Sequence, residues 1–228
     1  MKNKKRKLEE EPFANNRVNY LINLISPNKK DKILNVGISN IPEIEMAIEN
    51  KVKECWTIDM DKDKLEKASK YLKKTKLLRE DITTWPLKKN YFDKVVILEV
   101  LEHLDSDTDA LRWINSILKE KGTVIIGVPN KSLLHNINPV KYAEHKRHYS
   151  NEEIIEKVKI AGFEVEHLNV VENWSLLANL YIHLFFKFIL HRTIPFNTFN
   201  KSANKTYMRE NKSGLDIIIK AIKIKDVE

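Results

Sequence analysis

An apolar run, Ile33-Leu34-Asn35-Val36, enters a glycine at Gly37, and an acid, Asp59, closes the next apolar run 22 residues later. A strand that runs into a glycine turn and then a helix opens the crevice of an open α/β sheet. A carboxylate at the tip of the following strand suits the paired hydroxyls of a ribose. Met60, beside that acid, can lie against the face of a nucleobase. Asp59 has a second use, because it and Asp61 are equal candidates to cap a helix from Lys62 onward. A third apolar segment ends in Arg79-Glu80-Asp81-Ile82, where Asp81 can accept from an adenine amino group with Ile82 beside the ring. These groups all fall at strand ends on one edge, which is the edge where such sheets bind ligands.

The first turn narrows the ligand. It reads Gly37-Ile-Ser39-Asn40-Ile41-Pro42-Glu43. A pyrophosphate needs free backbone N–H groups at a helix start. Pro42 removes one of them, and Glu43 and Glu45 put negative charge into the first helical turn. A cofactor that keeps the adenosine but lacks phosphates escapes both objections. The competing reading is an ordinary strand-to-helix turn capped by Asn40.

The elements that position these residues alternate. Helical spacing of Val18, Leu21, Ile22 and Ile25 predicts a helix over 13–26, stopped by Pro27. Strands are expected at 32–38, 54–59, 76–79 and 92–100, the last nearly all apolar and so buried on both faces. Helices are expected at 42–50, 62–72 and 108–118, followed by a fifth strand at 123–128. Such alternation argues for a parallel, doubly wound sheet with right-handed crossovers. A helix at 151–161, a sixth strand at 163–171 and a seventh at 215–222 complete it. The expected organisation is a disordered basic tail, 1–12, and one domain, 13–228, with an apolar helical insert at about 174–212.

Composition excludes some classes. With one cysteine, Cys55, no intrachain disulfide and no thiolate metal cluster can form, and a reducing, cytoplasmic setting is expected. No metal is expected. The net charge of +8 lies partly in Lys2–Lys7 and otherwise along helices. Dispersed lysines read as a solvated surface; the sharper alternative is attraction to an anionic partner. The basic start has no apolar segment behind it, so it does not read as a secretory signal.

Strand four continues into Phe92-Asp-Lys-Val-Val-Ile-Leu-Glu99-Val-Leu-Glu102-His103-Leu104. Together with the glycine turn, the strand-end Asp59 and Glu80-Asp81-Ile82, this order resembles the class I S-adenosylmethionine-dependent methyltransferases. Leu118-Lys-Glu-Lys-Gly122-Thr-Val-Ile-Ile-Gly-Val-Pro-Asn130 and Glu144-His-Lys-Arg-His148-Tyr149-Ser150 are similar to the same family, in the branch acting on small molecules, quinones, lipids and glycans. The resemblance spans about 30–171 and the last strand.

The resemblance implies a Rossmann-like, doubly wound, seven-stranded sheet, mostly parallel with the last strand antiparallel. It implies S-adenosylmethionine as cofactor, lined by Gly37, Asp59, Met60, Asp81, Ile82 and Glu99. It implies methyl transfer to a small-molecule, lipid-linked or glycan acceptor, at oxygen. The chain departs from the family at Ser39 and Ile41, where glycines are usual, and at Asn35, where an acid is usual. Those departures support a second expectation, an inactive methyltransferase fold serving as a binding or scaffold protein. A nucleic-acid acceptor is not expected, since no Asn-Pro-Pro-Tyr-type block follows strand four.

His103 reads as a packing residue beneath the site. His145 and His148, after strand five, are candidate general bases, because an imidazole titrates near working pH. Their alternatives, shared with Tyr149, are a substrate-lid contact or a cap for the helix at Asn151. A base is not obligatory, because holding donor and acceptor in line can itself supply roughly 7–11 kcal/mol. The apolar stretch Trp174–Leu190 has three readings. It can be a core or homodimer helix, a lid over an apolar acceptor, or an interfacial helix touching a membrane, helped by Lys187, His191 and Arg192.

Overall fold

The computed structural model describes residues 12–82, 84–85, 89–131, 146–172, 185–186, 207 and 214–227, with side chains from Arg17 onward. Helix α1 spans Pro12–Ile25. It is followed by β1 (Lys32–Val36), α2 (Glu43–Ile48), β2 (Glu54–Asp59), α3 (Lys62–Ser69) and β3 (Lys76–Arg79). Then come β4 (Phe92–Leu98), a 3₁₀ turn (Leu101–His103), α4 (Asp107–Ile117), β5 (Leu118–Pro129), α5 (Asn151–Ile160), β6 (Phe163–Val171) and β7 (Asp216–Lys223).

The seven strands form one sheet in the order β3-β2-β1-β4-β5-β7-β6. Strands β1 to β5 pair in parallel, and β7 runs antiparallel to both β5 and β6. This is the Rossmann-like sheet the sequence implies. Its order reverses between β1 and β4, so the carboxyl ends of those two strands open a crevice.

Side-chain alternation along β1 builds two cores. Leu34 and Val36 join Val95, Ile97 and the inner faces of α4 and α5. Ile33 faces the other way, onto Leu21 and Ile25 of α1 and Ile48 of α2. Asn35 shares the Ile33 face, and so points a polar group toward α2. Capping residues fix the helix starts. Ser106 accepts from Asp109 N, and Ser150 forms a reciprocal capping box with Glu153.

Most element ends fall within two residues of expectation, with two larger differences. Strand β5 begins at Leu118, not at Thr123, so the residues expected to separate helix from strand belong to the strand. Phe92 pairs Leu118 and Lys94 pairs Thr123, so the ladder absorbs Lys119–Gly122 as an irregularity, with Lys121 at φ 59°. Helix α3 ends three residues early, because the Ala68 carbonyl turns to the N–H groups of Lys70, Tyr71 and Leu72. The expected basic tail lies outside the described residues apart from Pro12, which is helical. The insert also lies outside them, except for Phe185, Phe186 and Tyr207. Phe185 and Phe186 stack edge-to-face at 5.7 Å. Among the described residues no helix is long and apolar enough to cross a membrane.

Candidate active site

A cavity of about 370 Å³ lies at the carboxyl ends of β1, β2 and β4. That volume is in the range of small-molecule sites. Gly37 forms its rim: the residue takes φ +82°, and its N–H donates to Ile58 O at 2.8 Å. An added Cβ would lie 2.5 Å from Val100 Cγ2, so both the backbone angle and the space call for glycine.

Asp59 ends β2 and locks the turn above it. Its Oδ2 accepts from Ile38 N at 2.7 Å, and its Oδ1 accepts from Asp61 N at 2.7 Å. Asp61 is the residue that caps α3, accepting from Asp63 N and Lys64 N. The two uses open to Asp59 in the sequence therefore separate. Each Asp59 oxygen keeps a lone pair that a ribose hydroxyl can meet.

The departures from the family pattern have a structural account. Burial pushes the Glu45 carboxyl up, while Asn35 and Thr57 donate to it at 2.5 and 3.1 Å. Asn35 also donates to Gly37 O at 2.9 Å. The carboxyl absent at position 35 is thus supplied by α2, and it steadies the same turn. Ser39 is exposed and its hydroxyl donates to Ile41 O, while Ile41 is not among the lining residues. Pro42 takes the N-cap position of α2 with no side-chain hydrogen bond, so Asn40 does not cap it.

Glu99 follows β4 in left-handed backbone, φ 54°, with its N–H on Gly127 O at 2.9 Å. A non-glycine residue held there at a cavity wall is a mark of function. Arg17 of α1 reaches over the same wall. It lies 3.8 Å from Glu99, 3.4 Å from Glu172 and 3.8 Å from Asp216. Burial opposes its charge, yet these carboxylates hold the guanidinium above its ordinary value.

Of the residues expected to bind cofactor, Gly37, Asp59 and Glu99 line the cavity. Met60 stands beside it, 63% exposed, and Ile82 is packed into the main core. Asp81 opens a turn, its carbonyl accepting from Thr84 N and Trp85 N. None of these three is among the lining residues.

His148 is half-buried, is not among the lining residues, and is lowered by burial, so it is neutral at pH 7. His145 lies outside the described residues. Tyr149 and Arg147 beside it anchor to the Asp107 carboxylate at 2.9 and 3.2 Å, and Ser150 supplies the cap of α5. His103 is exposed and does not pack beneath the site. The 3₁₀ turn directs Leu101 and Glu102 inward in its place. Buried Cys55 is pushed up to about 12 by burial, which leaves it inert as a nucleophile.

Arg17 and Lys64 line the cavity without having been singled out from sequence, and Glu45, read there only as a charge in the first helical turn, lines it as the buried partner of Asn35. A polar Asn35 inside an apolar strand was the available signal for Glu45, since a buried amide needs a partner.

Residues 34–126 match the model of the methyltransferase domain family. That stretch is similar to a methyltransferase domain. Solved structures extend the likeness beyond the matched residues. The N-methyltransferase NodS from Bradyrhizobium japonicum, in complex with S-adenosylhomocysteine, superposes with a TM-score of 0.64 at 13% identity, covering 96% of this chain and 91% of that one. A SAM-dependent methyltransferase of Thermotoga maritima gives 0.61 at 20% identity, covering 95% of each chain. The [4+2]-cyclase SpnF gives 0.64 at 14%, covering 91% and 80%. No curated protein matches the sequence. The fold is shared with solved SAM-dependent methyltransferases, one of which, NodS, holds S-adenosylhomocysteine.

Proposed function

We propose that the protein transfers a methyl group from S-adenosylmethionine to a small-molecule acceptor, which can be lipid-linked or a glycan, at oxygen. The observation that carries the reading is the convergence of the Gly37 turn, Asp59 and Glu99 on one cavity whose first helix opens with a proline and two acids. That turn opposes phosphate and accommodates a phosphate-free nucleoside. When bound, the cofactor supplies an electrophilic methyl group on a sulfonium.

The residues divide the remaining work. Asp59 would hold the ribose hydroxyls through the lone pairs that Ile38 and Asp61 leave to it. Met60 and Ile82 would flank the base, and Asp81 would accept from its amino group. Gly37 lets the backbone come close. Glu99 would line the cofactor's pocket where β4 leaves the sheet. The helix, strand and turn that carry these groups pre-align them, and alignment supplies most of what an in-line displacement needs. His148, kept neutral by its surroundings, is the candidate base, with His145 beside it in sequence. A cytoplasmic location goes with this reading. The 174–192 segment would serve as a lid for an apolar acceptor, a membrane face or a homodimer surface.

The alternative, an inactive fold used for binding, rested on Ser39 and Ile41. Of the two, Ser39 lines the cavity and Ile41 does not. Calorimetry with S-adenosylhomocysteine tests the proposal. Saturable binding that Asp59→Ala weakens is the expected result, and no heat at millimolar ligand rejects it.

A further inference from the structure

The lysines scattered along the sequence gather at one end of the fold. In a doubly wound sheet each helix returns to the amino end of the next strand, so its return turn falls on the edge opposite the cavity. Lys29 and Lys30 stand exposed before β1, Lys51 and Lys53 before β2, and Lys73 and Lys74 before β3. Lys89 precedes β4, Lys121 sits in the irregular entry to β5, and Lys159 precedes β6. Antiparallel β7 ends at this edge, and Lys225 follows it. None of these turn lysines is in an ion pair among the described residues. The exposed acids described in the same turns are Glu120 and Asp226. Carboxylates at the strand starts are already held: Asp31 by Lys94 at 2.7 Å, Asp93 by Lys119 at 2.6 Å and Glu54 by Lys76 at 3.2 Å. The turns at the cavity edge have the opposite character, with Asp59, Asp61, Glu80, Glu99 and Asp105.

Two exposed isoleucines stand at the same edge. Ile160, which ends α5, is 49% exposed, and Ile224, which follows β7, is 58% exposed. They share a corner: Ile224 N donates to Gly162 O at 3.0 Å, and Gly162 N donates to Lys159 O at 3.0 Å. Lys159 and Lys225 flank the pair. We propose that this amino edge is a docking surface for an anionic lipid bilayer, with the lysines among the headgroups and the two isoleucines reaching below them. Anionic headgroups attract a nearby lysine by about 1 kcal/mol, and buried aliphatic side chains add an attraction that salt does not screen. Among the described residues this edge carries no arginine, whose fork recognises single phosphates and stacks on bases. Its rings are also taken, Tyr91 lying under Lys32 at 3.6 Å and Trp56 under Lys76 at 4.2 Å. Point charges and aliphatic tips, without a stacking platform, suit a sheet of headgroups better than a nucleic acid. Docking by this edge leaves the cavity open to the soluble phase. It is a different face from the 174–192 segment, whose flanking residues Val171 and Asp216 pair at the cavity edge.

Vesicle flotation of the full chain tests this. The probes are vesicles of phosphatidylcholine alone and vesicles in which about one third is phosphatidylglycerol. Wild-type protein is expected to float with the anionic vesicles and not with the neutral ones. Raising the salt from about 0.05 to about 0.5 M should weaken that binding by at least about tenfold. Lys29→Glu with Lys30→Glu should also weaken it by at least about tenfold. Lys62→Glu with Lys131→Glu makes the same change of net charge at the cavity edge and should alter binding by less than about twofold. Ile160→Ser with Ile224→Ser, at unchanged charge, should weaken it by about three- to tenfold. Absence of binding to anionic vesicles, or equal binding to neutral ones, overturns the proposal, and neither result needs a variant to fold. Equal weakening by the two lysine pairs overturns it too, because net charge and not this edge would then decide. Duplex RNA that strips the protein from vesicles, and binds the isoleucine variant as tightly as wild type, assigns the edge to nucleic acid and overturns the lipid reading.

Discussion

At Gly37 two constraints coincide, a φ of +82° and a contact of 2.5 Å that an added Cβ would make with Val100. Gly37→Ala is expected to cost about 1–3 kcal/mol in stability, read by urea unfolding, and to weaken S-adenosylhomocysteine by more than tenfold. Adding Val100→Ala removes the contact but leaves the backbone angle, so it should recover only part of the loss. Glu45 behaves differently, because burial raises its carboxyl. An acid raised on folding stabilises below its unfolded value and loses that contribution as pH rises through the folded one. Glu45→Gln should therefore melt at or above wild type at pH 8. Glu45→Leu strands the Asn35 and Thr57 donors and should cost about 1–3 kcal/mol. The residue types around Gly37 and Asp59 could be read in the sequence because strand-end glycine and acid have few other uses. Arg17 and Lys64 could not, since a helical Arg or Lys looks the same whether it faces solvent or a cavity.

Between elements, polar clusters tie strand ends together at the edge remote from the cavity. Glu54 of β2 accepts from Trp56 Nε1 at 2.9 Å, Tyr91 Oη at 3.0 Å and Lys76 Nζ at 3.2 Å. Partial burial works against its charge, but these donors hold it down at about 2. The stability it adds is present above its ordinary value of 4.5 and is lost as pH falls from there toward 2. The gap in urea midpoint between wild type and Glu54→Gln should thus be full at pH 6 and close by about pH 2. Helix α1 is held by apolar burial, with Leu21 and Ile25 each 1% exposed. Leu21→Ala should cost about 2–5 kcal/mol in unfolding free energy. It should also weaken cofactor binding, because the same helix delivers Arg17. Strands and helices up to β4 were readable because each apolar period ends at a turn residue or an acid. The start of β5 was not, because Lys119-Glu-Lys-Gly122 carries turn composition and the ladder with β4 overrides it.

Across the whole molecule, cofactor binding and folding are one equilibrium. Ligand at one hundred times its Kd adds about 2.7 kcal/mol, so the melting temperature should rise by roughly 5–10 °C in saturating S-adenosylhomocysteine, read by thermal scanning. Asp59→Ala should cancel most of that rise. The doubly wound architecture was legible from the alternation of elements alone, and the antiparallel seventh strand only through the family resemblance. Spacing cannot say which pair of strands a late segment will enter. The strand order gives that late segment an unusual position: β7 lies between β5 and β6, though it follows both in the chain. During translation the earlier strands must wait, with the β5 and β6 edges lacking their neighbour, until Asp216–Lys223 leaves the ribosome. The sheet becomes whole only once that last strand has emerged and entered the gap between them. Stalled products ending before Asp216 should be ready clients for holdase chaperones.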